Sequence, residues 1–470
     1  MKLILASLLS LSLLAPVIHA QESLKDLTHP ALNGHRLPDG TDVALMVVDA
    51  NSNEVLYSSY ADQVRQPAST QKLVTALAAA IYLKDYRFET RVERNNQDII
   101  FHFTGDPTLT RSQLRVLVER LKSYQDSIEG NVYLNGAAFD TFERAIGVPW
   151  DIMGVCYSAP SSALTLNGNC VYGRLEATSE PPITGVRATA PEQVNIRAGD
   201  ISMRQGLEYL SVDCGLKLIA DNQNNYTVGG CLETHRLPVN FHLAIQNPTV
   251  FTAKILNEEL QRAGIRLNGE IIRNDRVKGD EILVVHRSAP MMELIDTMVK
   301  DSDNLIADNL LKTIGRFYYD KPGSFENGAA AIKAILRSEA SIDLDSAIIV
   351  DGSGLSRNNR MTASQLMQVV QYIFKNPDLG LVSTMPVSGR SGTLRGRPSV
   401  SHELLVGKIA AKTGAIYGTY NLAGRIQARS GRHLYFVQII SNYHPADDRN
   451  RRQPLRAFER RLYESLYNDY

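Results

Sequence analysis

Short strand patterns occur at both ends of this chain, which restricts the fold to one that brings its two ends together. Asp42 to Asp49 and Glu54 to Tyr60 flank Asn51-Ser52-Asn53 and predict a β-hairpin. Far downstream, Lys408 to Gly414, Tyr420 to Ala428 and His433 to Ser441 read as three strands, the last two joined by a turn at Ser430-Gly431. Consecutive elements usually lie close in space, so hairpin and C-terminal strands are expected to share one antiparallel sheet. Long helical patterns run from Met291 to Phe317 and from Thr362 to Phe374. The closing helix carries Leu455, Phe458, Leu462 and Leu466 on one face. Its Arg456, Arg460 and Arg461 read as a solvated outer face, so membrane association is at most peripheral.

The middle of the chain differs. Asp98 to Phe103, Gly130 to Leu134 and Tyr226 to Cys231 read as short strands, and two helices stand out, Ser112 to Lys122 and Val250 to Ala263. Residues 85–275 are therefore taken as an inserted β-rich region of two subdomains, splitting a flanking domain into residues 21–84 and 276–470. The fold class is α+β. All four cysteines, Cys156, Cys170, Cys214 and Cys231, fall in the insertion. Four cysteines allow three disulfide connectivities, and pairing Cys156 with Cys170 and Cys214 with Cys231 closes the short local loops. No C-x-x-C or H-x-x-x-H spacing stands beside them, so no metal site is expected.

The first 20 residues combine Lys2, an apolar run from Leu3 to Leu14, Pro16 and Ala20. That run is too short to span a bilayer of ~30 Å and reads as a secretory signal peptide, placing the mature chain in the periplasm. Disulfides fit that oxidising compartment. Fifty basic and fifty acidic residues cancel, so no large field points to nucleic acid.

The chemistry begins at Gln66-Pro67-Ala68-Ser69-Thr70-Gln71-Lys72. Residues three apart on a helix share a face, so Ser69 and Lys72 would sit side by side, ahead of the apolar stripe Leu73, Val74, Leu77, Ala78 and Ile81. Alone, this is an N-cap serine and a solvated lysine. Two further groups change that reading. Ser302-Asp303-Asn304 interrupts a helical pattern, and Lys412-Thr413-Gly414 lies on a strand. Glycine in a strand often marks a place where another backbone comes close. In this order, S-x-x-K, S-x-N and K-T-G form the active-site set of penicillin-binding proteins and serine β-lactamases. Ser69 is then the nucleophile and Lys72 its base. The base must be neutral at work, and burial beside a second cation, Lys412, would lower its pKa. Ser302 would relay a proton, Asn304 would hold the substrate amide, and Lys412 and Thr413 would bind a free carboxylate. The backbone N–H groups of Ser69 and Ala415, which follows Gly414, are the expected oxyanion donors.

Over essentially its whole mature length the sequence resembles the D-alanyl-D-alanine carboxypeptidase/endopeptidases that include bacterial penicillin-binding protein 4. Beyond the three motifs, the resemblance rests on Gly105-Asp-Pro-Thr-Leu-Thr110, Tyr157-Ser-Ala-Pro160, Asp351-Gly-Ser-Gly-Leu-Ser-Arg357, Gly392-Thr-Leu-Arg-Gly-Arg397 and Tyr420-Asn-Leu-Ala-Gly424. Ser69 and Ser302 lie 233 positions apart, which the resemblance explains by a large insertion after the nucleophile helix. It implies a penicillin-binding transpeptidase-like domain. The implied activity is removal of terminal D-Ala from peptidoglycan stem peptides and cleavage of D-Ala–meso-diaminopimelate crosslinks, with no cofactor. It also implies covalent inhibition by β-lactams, and places Arg397 near the substrate, where its planar fork would suit a diaminopimelate carboxylate. Only Asp151 stands near the Asp-bearing wall that the family forms before Tyr157. A β-lactamase and a non-catalytic penicillin-binding receptor are the alternatives.

Overall fold

The computed structural model describes residues 37–179, 185–204, 214–446 and 451–470; the signal-peptide segment lies outside them. The two ends of the chain do meet. A five-stranded antiparallel sheet runs in the order Ile409–Ile416, Thr419–Gln427, His433–Ser441, Asp42–Asp49, Val55–Ser59. The hairpin turn is set by Asp49, whose carboxylate accepts from the backbone N–H groups of Asn51 and Ser52 at 2.9 and 2.7 Å. That is an Asx-type turn, a local bond that short acidic side chains make readily.

Strand periodicity decides which side chains go to which face. Ala44 and Val48 join a core with Leu73, Leu77, Leu310 and Val370 under the main helical layer. Leu45 and Val47 point the other way, into a second core with Phe436, Phe458 and Leu462 beneath the C-terminal helix Gln453–Asn468. The sheet is thus covered on both faces. The helical pattern expected from Met291 to Phe317 is two helices, Met291–Lys300 and Asn304–Tyr319, with Ser302 at φ 62° between them. A non-glycine residue in the left-handed region is uncommon and breaks the helix there.

The insertion is zipped at its base. The chain leaves along Glu89–Asn95 and returns along Glu281–Arg287, which pair antiparallel. The insertion's mixed sheet therefore runs past residue 275, where sequence patterning places the boundary, to Arg287. Two three-stranded sheets extend it, yet Val132, Leu134, Val171, Tyr226 and Leu243 belong to one hydrophobic cluster. The cysteines pair as Cys156–Cys170 and Cys214–Cys231, with Cα separations of 5.4 and 4.8 Å. Among the described residues no helix is long and apolar enough to cross a membrane.

The insertion is fixed to the helix Asn304–Tyr319 by buried polar groups. Asn309 donates to Gly105 O at 2.9 Å and accepts from Ser161 Oγ at 2.7 Å. Lys312, fully buried, donates to Asp140 Oδ1 and Ser161 O, each at 3.1 Å. Burial lowers the Lys312 pKa, and Asp140 opposes that shift.

Replacing Cys214 and Cys231 together by serine should lower the unfolding free energy by about 3 kcal/mol and leave the reactivity of Ser69 unchanged. Denaturant titration beside a nucleophile-labelling assay checks this. Equal stability, or labelling lost in a folded variant, would contradict it.

Candidate active site

Ser69 does not open the α-helix as spacing implies. It lies in a 3₁₀ turn, Ala68–Gln71, and the α-helix Lys72–Tyr82 starts at the lysine. The turn is held from outside. Asn421 on the neighbouring strand donates to Gln66 O at 2.9 Å and Pro67 O at 2.8 Å. Gly354 follows the same logic of close approach: a Cβ there would stand 1.9 Å from Ala68 O, so no larger residue fits.

The edge strand of the sheet supplies the opposite wall. The first half of its outer edge is covered, Ile409 N donating to Ser388 Oγ at 3.1 Å and Ala411 N to Pro386 O at 3.0 Å. On its second half, the face of the strand packs against the Ser69 turn. A Cβ on Gly414 would lie 2.9 Å from Pro67 O and 3.2 Å from Ser69 N. The glycine expected to permit a backbone approach therefore stands where one occurs.

Two buried lysines meet here. Lys72 Nζ lies 3.0 Å from Ser69 Oγ, 2.6 Å from Asn304 Oδ1 and 2.7 Å from Ser353 O. Lys412 Nζ lies 2.9 Å from Ser302 Oγ and 3.0 Å from Thr413 O. Both side chains are 0% exposed. Burial pushes Lys72 down to about 8, against the pull of Asp308, Asp351 and Asp303. Burial, aided by the charge of Lys72, pushes Lys412 well below an ordinary lysine. Taking an ammonium out of water penalises its charged form. Thr413 extends the wall by donating to Thr393 Oγ1 at 2.9 Å, and Ala415 is exposed beside Gly414.

The structure thus brings Ser69, Lys72, Ser302, Asn304, Lys412, Thr413 and Gly414 together. Asn304, expected to hold the substrate amide, has two partners within the protein. The carbonyl of Asn304 accepts from Lys72, and its Nδ2 donates to Tyr157 O at 2.6 Å. Tyr157 itself is exposed, as is Asp151 on the turn Trp150–Ile152.

Arg397, expected near the substrate, has a partner within the protein. Its guanidinium lies on Glu459 of the C-terminal helix, with Nε 3.1 Å from Oε2 and Nη2 bonded to Oε1. Ser399 and Gln438 also donate to Glu459, whose side chain is only 2% exposed. A buried carboxylate stripped of such a donor is strongly destabilising. Sequence spacing gave no sign of this partner 62 residues away.

Reading the three motifs alone misses Asp308 and Ser353. Asp308 lies one helical turn after Asn304, a spacing that places both on one face. Its Oδ1 accepts from the N–H groups of Gly352 and Ser353, each at 2.9 Å. Asp351 accepts from Gly354 N at 2.7 Å, Ser356 N at 2.6 Å and Asn359 Nδ2 at 2.9 Å. Burial raises the pKa of both carboxyls, that of Asp308 well above the usual range.

Fold and site together define an active-site serine enzyme of the penicillin-binding class. Residues 25–462 match the D-Ala-D-Ala carboxypeptidase 3 (S13) family, and the chain belongs to that family. It is 35% identical over 474 residues to the D-alanyl-D-alanine carboxypeptidase DacB of Haemophilus influenzae, covering 98% of this chain and 97% of that protein. A D-alanyl-D-alanine carboxypeptidase of Actinomadura sp. is 27% identical over 434 residues, covering 86% and 78%. The crystal structure of penicillin binding protein 4 from Haemophilus influenzae superposes with a TM-score of 0.85 at 34% identity, covering 92% of this chain and 98% of that one.

Arg397→Ala should destabilise the fold by on the order of 3 kcal/mol, by stranding the Glu459 charge, while Ser69 still acylates. Thermal melting with a labelling assay separates these effects. Loss of labelling in a variant of wild-type stability would restore Arg397 to the substrate.

Proposed function

We propose that this chain is a periplasmic serine D,D-peptidase of peptidoglycan, removing terminal D-Ala and opening D-Ala–meso-diaminopimelate crosslinks through an acyl-enzyme on Ser69. One observation carries the reading: Lys72 Nζ stands 3.0 Å from Ser69 Oγ while a second buried lysine holds Ser302 in the same site. Both substrates present the same D-Ala carbonyl and differ in the leaving amine.

Neutral Lys72 takes the hydroxyl proton as Ser69 Oγ bonds to the carbonyl carbon. The N–H groups of Ser69 and Ala415 receive the developing oxyanion. The C–N bond then breaks, and the proton reaches the leaving nitrogen through Ser302. In the second half, water attacks the ester, gives one proton back to Ser69 Oγ and releases the shortened peptide. Lys412 and Thr413 take the free carboxylate of the leaving group. An anion arriving beside Lys412 favours its charged form, so substrate itself would restore the cation that burial suppresses. Asn304 keeps Lys72 in place.

The related structure of Haemophilus influenzae penicillin binding protein 4 complexed with a β-lactam has a TM-score of 0.80 and 34% identity, covering 92% of this chain and 98% of that one. It supports β-lactams as covalent inhibitors here, since a strained lactam offers Ser69 the same kind of carbonyl. Purified protein treated with penicillin G should carry one adduct, on the peptide containing Ser69, and Ser69→Ala should lose both adduct and turnover. Chromatography of digested sacculi should show loss of terminal D-Ala and conversion of crosslinked dimers to monomers. Intact crosslinks would leave a carboxypeptidase alone. Fast penicillin hydrolysis with untouched muropeptides would make it a β-lactamase, and an adduct with neither reaction a receptor.

A further inference from the structure

The motif residues explain which groups react but not why the Lys72 lone pair faces Ser69. A neutral amine has two N–H hydrogens and one lone pair. The two shortest contacts of Lys72 Nζ are carbonyl oxygens, Asn304 Oδ1 at 2.6 Å and Ser353 O at 2.7 Å. A carbonyl oxygen only accepts, so these two take both hydrogens. The lone pair is left for the third neighbour, the Ser69 hydroxyl at 3.0 Å. Losing either carbonyl would free the amine to rotate and point a hydrogen at Ser69 instead.

Asn304 is fixed by the helix that bears it and by Tyr157 O. The Ser353 carbonyl belongs to a loop, and that loop is held by Asp308. One carboxylate oxygen takes the N–H groups of Gly352 and Ser353, and the other accepts from Ser353 Oγ at 3.3 Å. Thr75, from the nucleophile helix, donates to Gly352 O at 2.7 Å and closes the same loop from the other side. Both carbonyls that direct Lys72 are thus set by one helix, Asn304 directly and Ser353 through Asp308. We propose that Asp308 is a positioning residue for acylation: by pinning the Ser353 carbonyl it aims the lone pair of Lys72 at Ser69. The inference rests on Ser69 being the nucleophile and Lys72 its base.

Charge gives the idea a readout that mere structural support would not share. The groups facing this pair are Lys72 on the nucleophile helix, Asp351 on the loop, Asp303 at the interhelical turn, Lys412 on the edge strand and Lys312 one turn further along the Asp308 helix. Asp308→Asn keeps the shape, and its carbonyl oxygen still accepts from both backbone N–H groups. It removes a negative charge that favours protonated Lys72, so the amine loses its proton more easily. The acid limb of the acylation rate should move to lower pH, by about one unit, with Asp351 and Asp303 retaining part of the original field. Asp308→Ala frees the loop as well. It should slow acylation on the order of 100-fold, the scale that a small misplacement of a reacting group costs.

The experiment measures penicillin G acylation rates across the pH range for wild type, Asp308→Asn and Asp308→Ala, with thermal melting of each. A downward limb shift in Asp308→Asn together with the slow alanine variant supports the proposal. Wild-type acylation by Asp308→Ala overturns it, as does a plateau rate in Asp308→Asn slowed on the order of 100-fold, because its retained acceptor should still pin the loop. If the alanine variant does not fold, the isosteric asparagine variant decides alone. Wild-type adduct formation away from Ser69 would instead overturn the functional reading on which this rests.

Discussion

Two amines sit side by side in a place that water scarcely reaches, and most of the catalytic domain can be understood as the means of putting them there. Lys72 and Lys412 have no exposed side-chain surface. An ammonium moved out of water loses solvation worth several kcal/mol even after the protein relaxes, and two such charges also repel. Burial makes the proton easier to lose, bringing Lys72 down to about 8, and the neutral amine so formed is a base. On the proposed mechanism, desolvation supplies the reactivity that Ser69, a poor nucleophile alone, requires. In the same proposal, the acceptors around Lys72 set where that basicity is directed.

The helix Asn304–Tyr319 links this chemistry to the rest of the fold. Its first turn presents Asn304 to Lys72, and its next turn presents Asp308 to the loop carrying the Ser353 carbonyl. Further along, Asn309 and Lys312 bind the insertion through Gly105, Ser161 and Asp140. The insertion in turn returns Tyr157 O to Asn304 Nδ2. One rod of backbone thus carries the base's partners and the insertion's anchors.

Much of this was legible in residue order because local rules were not overridden. Alternate side chains of Asp42–Asp49 enter the cores on the two faces of the sheet, and the apolar run after Lys72 lies in a helix whose first two turns are buried. The three motifs marked residues that fold into one cluster around Lys72 and Lys412, and cysteine proximity along the chain matched proximity in space. What escaped depends on partners remote in sequence. Arg397 meets Glu459 only once the C-terminal helix folds across the sheet. The return strand Glu281–Arg287 belongs to the insertion because it pairs with Glu89–Asn95, a contact no local pattern records. Asn304 has a helix-start pattern, yet its amide is already engaged with Lys72 and Tyr157.

The claim that a desolvated, neutral Lys72 activates Ser69 is tested most directly by the pH dependence of single-turnover penicillin G acylation, in wild type and in Lys412→Ala. In wild type the rate should climb with pH through an inflection near the Lys72 value of about 8. Burial already suppresses the cation on Lys412, so in Lys412→Ala the inflection should keep its place while the plateau rate falls. A wild-type rate that does not change with pH, or an inflection that moves with Lys412, would contradict the account.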